Sequence, residues 1–330
     1  MKQSYYLFKG GQIKRKDNTL EISYPEGEKK SIPVERINDI YVMSEITFNV
    51  AFFNFISKYG IIMHFFNNYG FYTGSYYPKE SLVSGKLLVN QVEHYTDSSK
   101  RISLAAKFID AAAFNIHRNL RYYSSRGKDL ESYIEEIDFL RKKILLCRNV
   151  EELMGIEGNI RKIYYSAWNT IINQDVQFEC RVKRPPDNVI NTMISYVNSM
   201  VYTRVLSQIY KTQLNPTISY LHEPSEKRFS LCLDLAEIFK PIIADRMIFS
   251  LLNKNQITED SFEKESNYLY LKKSAIQTIT EEFDMRLKTT IKHKKLEREV
   301  SYDYLIRLEA YKLIKHLMGD EEYEGFRMWW

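Results

Sequence analysis

Two periodicities divide the chain. Up to about residue 78, short apolar or alternating runs at 5–8, 19–24, 37–42 and 61–66 are separated by Gly10-Gly11, Asp17-Asn18, Gly27 and Gly70. Alternation over a few residues between turn formers predicts strands, and this punctuation favours hairpins over long helices. One helix interrupts them, because residues 48–59 carry apolar positions at helical spacing and stop at Gly60. His64 lies in an apolar strand and reads as a satisfied core residue.

The β pattern ends at Tyr76-Tyr77-Pro78, and helical periodicity takes over from about Leu87. The expected class is α+β: a small β-rich N-terminal domain at 1–78, a linker at 79–88 and a larger all-α domain at 89–330. Leu104, Ala105, Phe108, Ile109, Ala112 and Ile116 mark the apolar stripe of one long helix, closed near Gly127, and residues 133–147 give another amphipathic segment. The last residues, Gly325 to Trp330, are aromatic and predict a plug against the bundle, with partner docking as the alternative.

The 330 residues suffice for two domains, and 44% hydrophobic with 27% charged residues is globular composition. Cys147, Cys180 and Cys232 are odd in number and far apart, which argues against a disulfide framework or structural zinc and fits a reducing cytoplasm. No stretch has the length of uncharged apolar sequence that a membrane span needs. A net charge of +5 permits a nucleic-acid partner without proving one, so distribution matters. Arg118, Arg121 and Arg126 cluster around Tyr122 and Tyr123, cations for phosphates beside rings on which bases stack. A solvated, internally paired helix surface reads the same pattern equally well. No Gly-rich Walker loop is present.

The densest chemistry lies between Asn215 and Pro241. His222 sits in a proline-bounded loop; Asp234 and Glu237, three apart, project from one face of the following helix, for which Ser230 is a candidate N-cap. One imidazole with carboxylate oxygens suits Mn²⁺ or Mg²⁺. The best candidate for a third ligand is Glu157, between Gly155 and Gly158 in a helix predicted to open near Gly155. Each helical glycine costs about 1 kcal/mol relative to alanine, so two of them imply that backbone or phosphate comes close there. Arg161 and Lys162, one turn on, and Arg181, Lys183 and Arg184 ahead of Pro185-Pro186 are candidate phosphate contacts. The bland alternative is a loop histidine beside a solvated helix face.

Three separated stretches carry a resemblance: Gly155-Ile-Glu157-Gly158 through Tyr164, Arg184-Pro-Pro through Ser195, and His222 through Leu233-Asp234-Leu-Ala-Glu237-Ile-Phe-Lys-Pro241. Together, in this order, they resemble the CRISPR-associated integrase and endonuclease family "Cas-one" over nearly the whole chain. Tyr210 to Thr217 is similar to the type I-B branch. The resemblance implies that Glu157, His222 and Glu237 are the catalytic metal ligands, with Asp234 an acidic neighbour. Many members carry aspartate where this chain has Glu237. It further implies a homodimer, a small "Cas-two" subunit contacted through the β-rich domain, and DNA substrates. The implied reaction joins the 3′-hydroxyl of a short captured DNA to the end of a CRISPR repeat by transesterification. With water as the nucleophile the same site cleaves DNA. Two rivals remain at this point: a non-catalytic DNA-binding scaffold whose acids pair with Arg or Lys, and a junction-specific repair nuclease outside any CRISPR array.

Overall fold

The computed structural model describes residues 2–329 apart from 68, 80–81, 177, 183–185, 226–228 and 266–267; the side chain of residue 265 is likewise outside the description. The chain divides into two compact units, 1–81 and 82–330.

The first unit contains β1 (Gln3–Leu7), β2 (Gly11–Lys16), β3 (Thr19–Ser23), β4 (Lys29–Pro33), β5 (Ile37–Val42), β6 (Ile46–Thr47), α1 (Val50–Lys58), β7 (Ile62–Phe66) and β8 (Tyr72–Tyr76). They form two four-stranded sheets, ordered β1-β5-β7-β8 and β4-β3-β2-β6. Hairpins join β2 to β3, β3 to β4 and β7 to β8, but β1, β5 and β7 pair in parallel, which hairpin punctuation alone does not indicate. Ile13, Ile22, Ile40, Phe52 and Ile56 belong to one core between the sheets and α1. Asn49 caps α1 by accepting from Phe52 N, and Gly60 stops it at a φ of +64°, open to glycine at no steric cost. His64 is buried, 2.6 Å through Nδ1 from Ser75 Oγ and against the Tyr41 ring, as a core histidine should be.

The second unit is mainly helical: α2 (Gly85–Thr96), α3 (Ser98–Ser124), α4 (Glu131–Ile144), α5 (Val150–Ser166), α6 (Trp168–Ile171), α7 (Val189–Tyr210), α8 (Ser230–Lys240), α9 (Arg246–Asn253), α10 (Lys273–Lys288) and α11 (Tyr302–Met318). Two short hairpins, β9 (Phe262–Glu265) with β10 (Tyr268–Leu271) and β11 (Thr290–Lys292) with β12 (Glu299–Ser301), add to the all-helical expectation. These strands are three or four residues long, too short for a clear period against the helical background. Helices α7 and α8 are buried on nearly every side, and α8 packs against α3, α7 and α11. A helix apolar all round belongs in a core, so polar side chains on it need partners.

The C-terminal segment folds back on this bundle. Buried Glu309 accepts from Tyr323 Oη at 2.6 Å and Phe326 N at 3.0 Å, and Phe326 stacks on Phe239. Asn115 of α3 donates to both Ile238 O and Phe326 O at 3.0 Å and accepts from Met328 N at 2.8 Å. Gly325 permits this approach, because a Cβ there would stand 2.4 Å from the Ala111 Cβ and 3.0 Å from Lys107 O. Gly325→Ala is therefore expected to lower stability by about 1–3 kcal/mol through overpacking. A urea midpoint unchanged from the parent would show that the tail is not seated in this way.

Candidate metal centre

The loop before α8 is built around one carboxylate. Asp234, fully buried, accepts Tyr220 N at 2.7 Å and Leu221 N at 3.0 Å on Oδ2, and His222 N at 3.0 Å on Oδ1. The same Oδ1 lies 2.8 Å from His222 Nδ1. An anion buried without a cation needs such donors, and here they fix the loop and the imidazole together. Ser230 is not the N-cap of α8. It is the first helical residue, its Oγ donating to Thr217 O at 2.8 Å, while Leu231 N donates to Pro216 O at 3.0 Å. The loop's own carbonyls thus take up the helix-start donors.

One turn further along α8, Glu237 is 6% exposed and meets two cations: Arg161 Nη2 on Oε2 and Lys240 Nζ on Oε1. Burial pushes its carboxyl up, but Lys240 and Arg161, helped by His222, outweigh this and hold it well below the carboxylate range. Arg161 is itself buried and reaches back one turn of α5 to Glu157, Nε to Oε1 at 3.2 Å. Its desolvation is outweighed by Glu237, Tyr165, Glu157 and Asp245, which keep it charged. A single guanidinium therefore stands between Glu157 and Glu237. Its remaining Nη1 has no hydrogen-bond partner and lies 3.9 Å from Asp245 Oδ2, which has none either. Burial pushes the Asp245 carboxyl up to about 7, Arg161 opposing it.

Helix α5 begins at Val150, with Asn149 Oδ1 accepting from Glu152 N at 2.8 Å, and not near Gly155 as expected; both glycines are interior to it. A good N-cap and two early glutamates carry the helix through them. A Cβ at Gly155 or Gly158 would meet nothing within 4 Å, so no packing in this chain requires them.

The structure thus brings Glu157 and Glu237 to one guanidinium and His222 to Asp234. Of the five expected phosphate contacts, Lys162 is exposed, whereas Arg161 faces the carboxylates. Arg181 is turned inward, donating to Asn191 O at 3.2 Å, Asn191 Oδ1 at 3.0 Å and Ser195 Oγ at 2.8 Å. Lys183 and Arg184 lie outside the described residues. Lys240 and Asp245 carry interactions that the sequence reading assigned to neither. Lys240 follows Glu237 by the i,i+3 spacing of a helix pair, and Asp245 is a lone acid after the apolar run Ile242-Ile243-Ala244; both were visible signals.

A family model described as CRISPR associated protein Cas1 matches residues 5–285. The chain belongs to the Cas1 family. A CRISPR-associated endonuclease Cas1 from Fusobacterium nucleatum subsp. nucleatum is 60% identical over 330 residues, spanning 100% of this chain and 98% of the relative. A CAS1 protein of known structure from Thermotoga maritima is 40% identical, with a TM-score of 0.86 over 99% of this chain and all of the other. A casposase bound to integration product shares the fold, at TM-score 0.87 and 21% identity over 98% of this chain and 92% of that one.

In this Cas1-family chain the donors fit a divalent cation by their chemistry. An imidazole whose Nδ1 is held by a carboxylate leaves Nε2 to ligate, the arrangement common behind metal-bound histidines, and Glu157 and Glu237 are carboxylates already gathered by a cation. As placed, no three His, Cys, Asp or Glu side chains among the described residues are close enough together to hold an ion. Arg161 occupies the space between the two glutamates instead.

Two expectations follow. Gly158→Ala should raise the stability of the free protein by about 1 kcal/mol, since helix propensity gains and nothing clashes; a lowered thermal midpoint would contradict that. Burial raises Asp245 to about 7 in the folded chain from an ordinary 3.8, so between about pH 4 and 7 the folded chain binds the extra proton and stability falls as pH rises. Glu237, shifted the other way, loses its contribution only as pH drops below its ordinary value of 4.5. Urea midpoints at about pH 5 and pH 8 should therefore fall further in the parent than in Asp245→Asn. Equal declines would remove Asp245 from the account.

Proposed function

We propose that this chain is a metal-dependent DNA endonuclease and integrase of CRISPR adaptation. It joins the 3′-hydroxyl of a captured DNA to a repeat phosphodiester by transesterification, and cleaves branched DNA when the reaction runs in reverse. The observation that carries the reading is that two carboxylates, Glu157 and Glu237, are drawn to one guanidinium while an imidazole is locked by Asp234, in a chain whose relatives bear the name CRISPR-associated endonuclease.

Glu157, Glu237 and His222 Nε2 would hold Mg²⁺ or Mn²⁺. Such an ion draws charge from a scissile phosphate and makes a nearby hydroxyl more acidic. Asp234 keeps the imidazole in one orientation, so the ring does not have to be ordered when substrate arrives. Arg161 and Lys240 neutralise the carboxylates until then. When Arg161 is released from them, its unpartnered Nη1 already faces Asp245, which offers the guanidinium a second anion. Lys162, exposed one residue along, would meet phosphate.

The partners we propose are DNA, a second copy of this chain and the small Cas2 subunit, in the cytoplasm, with membership of the type I-B branch. In their support, a structural neighbour of the same fold was solved as a Cas6-RT-Cas1–Cas2 complex, and no helix among the described residues is long and apolar enough to cross a membrane.

One observation favours a rival. Both glutamates are paired with Arg161 and Lys240, which is what a non-catalytic DNA-binding scaffold would show. A strand-transfer assay with the purified small subunit, a short duplex and a repeat-bearing plasmid separates the two. Product is expected with Mn²⁺ or Mg²⁺, none with EDTA, and none from Glu157→Ala or His222→Ala, both of which should bind DNA as the parent does. Strand transfer that survives either substitution, or EDTA, rules the assignment out.

A further inference from the structure

Asp245 is a buried acid outside the proposed ligand set, and among the described residues its Oδ2 has no hydrogen-bond partner. Facing it at 3.9 Å is Arg161 Nη1, also buried and also without a partner. No other cation among the described residues comes within ion-pair distance of this carboxylate. Buried charged atoms left unpaired are costly, and each one calls for a role. The gap is about 1 Å longer than a charge-assisted hydrogen bond, so a small turn of the guanidinium would close it.

A guanidinium carries its N–H donors in a fixed fork. Here Nε and Nη2 face Glu157 and Glu237 while Nη1 faces Asp245, so one side chain addresses acids from α5, from α8 and from the turn at Pro241–Asp245 that follows α8. The Asp245 end is anchored from α3. Asn119 Nδ2 donates to Pro241 O of that turn at 2.7 Å and to Tyr164 Oη, itself beside Asp245, at 3.1 Å. Arg161 therefore has two seats within reach. On the glutamates it competes with any other cation for their oxygens, and on Asp245 it does not. A site that is open in only a fraction of the molecules binds with its intrinsic affinity reduced by that fraction.

We infer that Asp245 is a positioning residue that sets the divalent-metal affinity of Glu157, His222 and Glu237 without touching the ion, by offering Arg161 a second seat. This rests on the reading of those three residues as metal ligands. Removing the charge of Asp245 confines Arg161 to the glutamates and closes the site more of the time. With Arg161 itself removed, the identity of residue 245 ceases to matter to the metal.

Calorimetric titration of the full chain with Mn²⁺, without DNA, reads the affinity directly, and thermal midpoints check that each variant folds. Asp245→Asn, close to isosteric, is expected to bind Mn²⁺ about tenfold more weakly than the parent. Arg161→Gln is expected to bind it about tenfold more tightly, and adding Asp245→Asn to that variant should change the affinity less than about twofold. An acid acting on the ion through space alone would cost the same in both backgrounds, so equal losses overturn the proposal. A weaker Arg161→Gln overturns it too. So does an Asp245→Asn affinity equal to the parent's, a result that stands even where Arg161→Gln fails to fold. Glu157→Ala tests the metal site separately. Affinity unchanged in Glu157→Ala, or no Mn²⁺ uptake by the parent, removes the site and the second seat together, whereas binding lost in Glu157→Ala but kept at parent strength in Asp245→Asn removes the second seat alone.

Discussion

The second unit is arranged about a guanidinium held between two carboxylates. Glu157 and Arg161 come from α5, Glu237 from α8, and the charge on Arg161 is what allows the two acids to approach with little water between them. Taking three ions out of water is expensive, and the attraction repays it only when geometry is good and remaining donors are satisfied. Here Lys240 adds a second cation on Glu237, so that carboxylate stays ionised despite being buried. The consequence is a cluster with its negative groups already gathered and charged.

Asp234 and Glu237 lie one turn apart on the same helix and do opposite work. Asp234 is fully used by the loop: three backbone N–H groups and one imidazole nitrogen account for both its oxygens. It carries no free lone pair towards the cations. A carboxylate in that position acts as a splint, supporting His222 from a proline-bounded loop, whereas Glu237 has its oxygens on the side-chain cations Arg161 and Lys240. The difference in exposure between the acids is slight. Their partners separate them.

Strands whose alternation places several residues inward were legible in the sequence. The run at 37–42 is β5 to the residue, with five of its six positions buried. Strands β2 and β4 were missed, because GQIKRK and KKSIP each turn a single isoleucine, Ile13 or Ile32, into the core and read otherwise as polar loop. The parallel pairing of β1, β5 and β7 was not readable at all, being a matter of long-range contact and not of local period. At the site, the donor types were plain in the sequence, and the i,i+4 step from Glu157 to Arg161 was available. That Arg161 also reaches Glu237 was not, since the two are brought together by the packing of α5 and α8 around α3. Ser230 was misjudged for a related reason: a serine before an apolar run looks like a cap, but its hydroxyl donates to Thr217 O, and Pro216 O of the preceding loop accepts from Leu231 N.

Pro241 ends α8 without ending the helix. Having no N–H, it cannot close the ladder bond to the carbonyl four residues back, and residues Pro241–Asp245 continue as a widened π turn before α9 resumes. Two carbonyls beside this change are met by asparagines of α3: Asn115 donates to Ile238 O, and Asn119 donates to Pro241 O. All five residues of the turn are buried. The turn also sets the directions of the two residues that close it. Asp245 turns in towards Arg161, and Arg246, the next residue, turns out over Tyr122. An acid that faces Arg161 and a base that stands over Tyr122 are therefore held by one peptide unit.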